Sequence, residues 1–141
     1  MNSEAIYQAL FDLSCSLNVF NTTSRRVRHF SELSYPEYPA LFQGQGDEFG
    51  EQGHGLPTRW EYKPVQYLYV NAGNDTSVNP ATIINPMIDA MKSAFAPNGP
   101  RNVQTLNGLV VRCWINKVEL QEGVLGQIEV ALIRFDLKLI P

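Results

Sequence analysis

Apolar residues recur along this chain with two periods, and the period changes at recognisable breaks. In residues 3–17, Ile6, Leu10, Leu13 and Leu17 fall at i, i+4, i+7 and i+11, one stripe of an amphipathic helix. Asn2 or Ser3 can cap the orphan amides at its start, and Asn21-Thr22-Thr23 ends the pattern. Residues 24–30 alternate only weakly and read as an edge-like strand. A turn bounded by Pro36 and Pro39 leads to a short strand over 40–43. Residues 58–71 alternate well: Trp60, Tyr62, Leu68 and Val70 share one side, Arg59, Glu61 and Lys63 the other. Pro64 cannot donate to a ladder, so it marks an edge or a bulge. A turn-rich loop, AGNDTSVN (72–79), precedes a second helix with Ile84, Met87, Ile88, Met91 and Phe95 as its stripe. Either Asn79-Pro80 or Asn85-Pro86 supplies its start, and Pro97-Asn98-Gly99-Pro100 stops it.

Two strands close the chain. Residues 106–120 place Leu109, Val111, Cys113 and Ile115 on one face, and residues 124–140 do the same with Ala131, Ile133, Phe135, Leu137 and Leu139. Gln121-Glu122-Gly123 suits a tight hairpin between them. The order α, β, β, β, α, β, β points to an α/β (α+β) fold. Its economical form is a mainly antiparallel or mixed sheet with two helices packed on one face. A length of 141 residues fits a single domain over 1–141, with no internal repeat.

Residues 44–57, GQGDEFGEQGHGLP, break both periods. Five glycines and three acidic residues raise the entropy cost of ordering this stretch, so it is expected to be a flexible loop. Loops of this length in small domains are functional or disordered.

Composition narrows the chemistry. Apolar residues are 44% and charged residues 18% of the chain, a globular balance. The formal charge of −3 gives no general attraction to nucleic acid or to an anionic membrane. Cys15 and Cys113 form no CxxC pair and are expected to be reduced and apolar in habit, a disulfide being the alternative. The N-terminal residues lack a basic region followed by an apolar stretch, so no signal peptide is expected. No run approaches a membrane span.

HExxH, GxSxG and GxxxxGK[ST] are absent, as is a GxGxxG after a strand. His54 with Asp47, Glu48 and Glu51 is a conceivable metal set, against which stands an ordinary solvated acidic loop with little rigidity. Neither a metal nor a cofactor is expected. Charge is segregated: no Lys or Arg lies between Arg28 and Arg59, while Glu32, Glu37, Asp47, Glu48 and Glu51 do. A basic segment and an acidic one in the same chain suit head-to-tail contacts between copies, which close into rings when the rotation fits. The alternatives for Arg25, Arg26 and Arg28 are a charged edge that blocks aggregation and a phosphate contact. Trp60, Tyr62, Tyr67 and Tyr69 put aromatics on both sides of one strand, to be covered by a helix or by a neighbouring subunit.

Several segments taken in order, SRRVRHF (24–30), PALFQ (39–43), GLPTRW (55–60), LYVNAG (68–73), NPMIDAM (85–91), QTLNGLV with CWI (104–115) and EGVLG (122–126), resemble the tail terminator, or tail completion, proteins of phages with long non-contractile tails. That resemblance implies an α/β subunit of a hexameric ring seated on a finished tail tube. The ring stops tube polymerisation, offers a surface to the head-neck connector, and lets viral DNA pass without sequence-specific binding. It implies a non-enzymatic protein at the head-proximal end of the virion tail, assembled in the host bacterial cytoplasm and not in a membrane.

The resemblance carries no catalytic residue and no motif that assigns an interface. The candidate residues therefore come from this sequence alone: Arg25, Arg26, Arg28, Trp60, Tyr67 and Tyr69 for the seam between copies, and Asp47, Glu48, Phe49, Glu51 and His54 for contact with the tube. A tail tube or neck-joining protein is the nearest alternative. A small-molecule-binding domain, or an enzyme with an unrecognised site, is the alternative of another class.

Overall fold

The structure, a computed structural model, describes residues 2–141, with the backbone alone at residues 123–125. Its elements are α1 (Ser3–Cys15), β1 (Thr22–Ser24), β2 (Ala40–Glu51), β3 (Arg59–Asn71), α2 (Ala81–Ala94), β4 (Arg112–Leu125) and β5 (Ile128–Lys138). Among the described residues the strands form one five-stranded mixed sheet in the order β1-β2-β3-β5-β4. Only β1 and β2 run parallel; the other neighbours are antiparallel. This is the expected α+β class and element order.

Both helices begin as their sequences require. Asn2 caps α1, its Oδ1 accepting from the Ala5 amide at 3.1 Å, which satisfies one of the orphan donors of the first turn. At α2 the choice between two Asn-Pro pairs falls to the first. Asn79 Oδ1 accepts from the Ala81 amide at 3.0 Å, and Pro80 already has helical angles. Pro86 lies inside the helix.

Ile6, Tyr7 and Leu10 of α1 and Ile84, Ile88 and Met91 of α2 pack in one cluster with Leu41, Tyr62, Leu68, Val70, Ala131, Ile133, Phe135 and Leu137 of the sheet. Both helices therefore cover the same face. Phe95 meets Phe135 edge-on, with ring centroids 4.7 Å apart. Polar groups pin α1 to this face as well. Ser14 Oγ donates to Gln66 Oε1 (2.7 Å), Gln66 Nε2 donates to Gln43 Oε1 (2.8 Å), and Gln43 Nε2 donates to the Tyr7 carbonyl (2.9 Å). All three side chains are buried, so each bond replaces one that water would have made.

The opposite face carries a smaller core of Tyr38, Ala40, Phe42, Tyr69 and Val130, closed by Phe30 and Leu33 from the segment between β1 and β2. That segment corrects the expected strand over 24–30. The strand ends at Ser24, and two short 3-10 turns follow, Phe30–Glu32 and Tyr35–Glu37. The second turn is held by Glu37 Oε1, which accepts from the Ser34 amide at 3.1 Å. Aromatic residues at positions 30 and 38 bury themselves by folding this segment over the sheet, an option that weak alternation could not reveal. The Tyr38–Pro39 peptide is cis.

The glycine-rich stretch 44–57 is the largest correction. Residues up to Glu51 continue β2 and pair with β3 as far as Glu51 opposite Arg59; only 52–58 connect the strands. The register shifts between Gly44 and Asp47, where one extra residue is accommodated. Gly46 takes φ +65, and a Cβ there would lie 2.0 Å from the Lys63 carbonyl oxygen. This is a β-bulge with an obligatory glycine, and it sits beside Pro64, whose missing N–H asks nothing of β2. Strand pairing satisfies the backbone groups whose ordering the glycine count had weighed against.

Two smaller corrections concern the C-terminal hairpin. Leu106, Asn107 and Gly108 all have positive φ, so β4 starts at Arg112 rather than 106. Leu109 and Val111 are exposed instead of sharing a buried face with Cys113. The turn is Gly126-Gln127, between paired Leu125 and Ile128, not 121–123. Gly126 supplies the positive φ at its first position. The side chains of EGVLG at 123–125 lie outside the described residues. The two cysteines are free thiols, Cys113 buried and Cys15 half-buried, and burial pushes the Cys113 thiol up to about 12.

Gly46→Ala is expected to cost about 3 kcal/mol or more, combining a left-handed Cβ penalty with a backbone clash. Gly55→Ala, also at positive φ but with nothing near its Cβ, should cost about 1 kcal/mol. Urea unfolding of the two variants checks the ranking. Gln66→Leu strands Ser14 and Gln43 and should cost roughly 2–4 kcal/mol. Adding Ser14→Ala and Gln43→Leu should recover part of that loss, read by the same midpoints.

Candidate interaction surface

Burial along β2 changes abruptly at the bulge. Ala40 to Gln43 are buried, whereas every residue from Gln45 to Glu51 is exposed. Past Gly46 β2 runs exposed, while β3 stays anchored through Tyr62, which is buried in the main core and, with Glu61, pairs with β5; the end of the hairpin beyond them, closed by 52–58, forms an arm. β1 pairs with β2 only at Ala40, Leu41 and Phe42, so the outer edge of β2 along the arm has no strand partner among the described residues. Gly55 at φ +73 and the Leu56 amide bonded to the Gly53 carbonyl (3.0 Å) shape the tip.

The arm is stiffened at its root. Tyr7 donates its phenol proton to Glu48 Oε2 at 2.6 Å and stacks on Tyr62, with centroids 5.2 Å apart and planes within 6°. The Tyr62 and Ser3 hydroxyls share a hydrogen bond of 2.6 Å. Burial, and then the hydrogen bond to Glu48, raise the Tyr7 phenol well above the ordinary tyrosine range. Farther out, Trp60 lies across Gly50, where a Cβ would come within 3.1 Å of the indole ring.

Apolar side chains gather on and beside this arm without being covered. Phe49 is 54% exposed, Leu56 56%, Val111 46% and Ile140 53%. A cleft of about 390 Å³ opens at the arm's root, walled by Phe49, Gly50, Trp60, Val111, Leu139 and Pro141, with Glu51, Arg59, Glu61 and Lys138 also in its lining. Exposed apolar groups clustered within a polar rim are the usual composition of a surface awaiting a partner.

The structure gathers one set of sequence-derived candidates and disperses the other. Asp47, Glu48, Phe49 and Glu51 lie on one strand of the arm and His54 near its tip. Alternation sends Asp47, Phe49 and Glu51 to one side, while Glu48 turns toward α1 to meet Tyr7. The other set is divided. Arg25 grips Glu4 through both terminal nitrogens and reaches Gln8 at 3.0 Å. Arg28 pairs with Glu37 at 2.8 Å and donates to the Glu32 carbonyl at 3.1 Å. Tyr69 is buried and donates to the Arg28 carbonyl at 3.0 Å, and Tyr67 packs against the same smaller core. Trp60 belongs to the arm. Among the described residues only the Arg26 side chain of the three arginines has no ion-pair or hydrogen-bond partner.

The pairings leave an electrostatic signature. The Arg25 guanidinium holds the Glu4 carboxyl below the usual range. The Ser34 amide and then Arg28 do the same for Glu37. Among the described residues no group of three His, Cys, Asp or Glu side chains is placed to hold a metal ion.

Sequence reasoning did not anticipate Val111, Leu139, Ile140 and Pro141 in this surface, because they reach it only through the tertiary placement of the last residues and of the start of β4, where the Val111 amide donates to the Lys138 carbonyl. A signal for the arm was present, however. Gly46 and Pro64 are the residues a bulged pair of strands would select.

No family model matches the chain, and no curated protein matches it. Solved structures do. A chain from the virion of a native gene transfer agent particle superposes with a TM-score of 0.58 over 96% of this chain and 95% of its own, at 8% identity. A second solved chain, known only by a sequence designation, gives 0.55 over 100% and 99%, at 12% identity. At these identities the likeness is one of fold, and it runs nearly end to end.

Tyr7→Phe removes a hydrogen bond to a charged acceptor worth about 1.5–3 kcal/mol. The amides of residues 47–51 should then exchange roughly 10-fold faster or more, with smaller changes in the strands behind the helices. Hydrogen-exchange mass spectrometry of the two proteins checks this; equal rates along the arm would show that the clamp is idle.

Proposed function

We propose that this protein is a structural, non-enzymatic subunit of a phage-like virion, and that copies of it form a ring that caps the tail tube. The observation that carries this reading is the β2–β3 arm. Its apolar side chains stand uncovered on a fold shared, over almost its whole length, with a chain of a gene transfer agent virion. The segments that resemble tail terminators supply the finer assignment.

The division of labour follows from the physical layout. The two-sided core and the buried Ser14–Gln66–Gln43 chain make the body rigid. The arm presents Phe49, Leu56 and the acidic residues Asp47 and Glu51 to the last layer of tube subunits, with His54 near the tip. Burial of Phe49 and Leu56 supplies attraction of roughly 1.5–3 kcal/mol each, and the charges set register. Glu48, held by Tyr7, fixes the angle of the arm. In the seam between copies Arg26 and Trp60 remain available, whereas Arg25, Arg28 and Tyr69 act by holding the 25–39 segment in shape. The opposite side of the ring meets the head-neck connector, and DNA passes through the hole.

Phe49→Glu with Leu56→Glu tests the arm. Both positions are more than half exposed, so unfolding midpoints should stay within about 0.5 kcal/mol per site. Tubes assembled with the variant should grow past their normal length in electron micrographs. Tubes capped as in the wild type would sink the proposed contact. Arg26→Glu should weaken the ring, seen as loss of the oligomer by mass measurement. If the purified chain instead builds long tubes, it is a tube protein and not a terminator.

A further inference from the structure

Glu129 stands in an otherwise apolar run, IEVALI, near the start of β5. It is 3% exposed, and its Oε2 is buried with no hydrogen-bond partner. Burial of an ionised carboxylate without a partner costs several kcal/mol, so the arrangement calls for either a retained proton or a donor from outside. Glu129 lines a cavity of about 660 Å³ between the 72–80 connection and the β4–β5 turn. Among the described residues the lining holds three acids, Asp75, Glu122 and Glu129, and no Lys, Arg or His.

Two of the other polar groups there are already engaged. Asp75 Oδ1 accepts from the Ser77 amide (2.9 Å) and hydroxyl (2.7 Å). Asn79 Oδ1 accepts from the amide that begins α2. Glu129 is different: burial first, and then the charge of Glu122, raise its carboxyl above the ordinary range. The acids are not gathered as a metal ion needs, since among the described residues no group of three such side chains is placed to hold one. Dispersed negative charge over a roomy cavity favours a broad cation with several N–H donors.

We propose that this cavity binds a guanidinium or alkylammonium group, with Glu129 as its buried carboxylate partner. The group is supplied either by a neighbouring copy of the chain or by a free molecule. The first source rests on the ring reading above; the site itself does not. Arg26, Arg59, Lys92 and Arg101 make no ion pair among the described residues, so a neighbour has cations to offer.

The test uses the full chain, below any concentration at which it self-associates, titrated with Nα-acetyl-arginine amide and, as a neutral isostere, Nα-acetyl-citrulline amide. NMR shifts of the Gly73 and Gly126 amides report on the cavity. The arginine probe should bind saturably, the citrulline probe should not, and Glu129→Gln should weaken binding about 10-fold or more. Glu122→Gln, which leaves the buried oxygen in place, should weaken it less. This milder variant also keeps the test decisive if Glu129→Gln fails to fold. No saturable binding by the wild type, equal binding of the two probes, or unchanged binding by a folded Glu129→Gln would each overturn the proposal.

Mass measurement across a concentration series separates the sources. If Glu129→Gln moves self-association to roughly 10-fold higher concentration, the donor is a neighbour's side chain. If it abolishes probe binding and leaves self-association alone, the donor is a free molecule. A wild-type chain that binds the probe yet never self-associates would defeat the ring and leave the cavity site standing.

Discussion

Where β2 passes Gly46, the chain must give one strand an extra residue while the Lys63 carbonyl of β3 stands 2.0 Å from where a side chain would begin. Only glycine fits, and the neighbouring proline in β3 makes no demand for a bond that the bulge cannot supply. A bulge bends its strand and increases local twist. At that point β2 passes from buried to exposed, while β3 beside it stays tied to the body through Tyr62. The exposure of β2 beyond the bulge follows, and because β1 pairs only with Ala40, Leu41 and Phe42, the outer edge of that stretch is left open.

Rigidity behind the arm has two origins. Apolar packing fixes the sheet between α1 and α2 on one side and the 3-10 segment on the other. Hydrogen bonding then makes the arrangement specific. The Ser14–Gln66–Gln43–Tyr7 chain can close only if α1 lies in one register over β2 and β3. Tyr7 serves both systems, its carbonyl ending the buried chain and its phenol holding Glu48. A change in the helix is thereby felt in the arm.

Electrostatics divide along the same lines. The basic segment that might have been a free cationic surface is folded back on its own carboxylates, Arg25 to Glu4 and Arg28 to Glu37. On the uncovered part of the second face Lys63 pairs with Asp136 at 2.9 Å and Arg134 with Glu119 at 2.8 Å. The Arg134–Glu119 pair, open to solvent, contributes little to stability, whereas Asp136 is itself buried and Lys63 supplies the charge partner that its burial requires. The acids around the Glu129 cavity have no such partners among the described residues, and neither do Asp47 and Glu51 on the arm.

Periodicity alone determined the order of elements, the buried face of β5 and the α+β class, because burial of an amphipathic face is a local requirement that each segment signals for itself; the choice of Asn2 over Ser3 and of Asn79 over Asn85 as helix caps fell to the structure. Only the tertiary structure decided that residues 44–51 are a strand, since the partner that satisfies their backbone groups is β3, beyond the turn. It likewise decided that Arg25 and Arg28 turn inward, because Glu4 and Glu37 reach them only after α1 and the 3-10 turns have packed. Glu129 shows the same limit from the other side: an acid in an apolar run was visible in the chain, but whether it would find a donor depended on what the fold brought beside it.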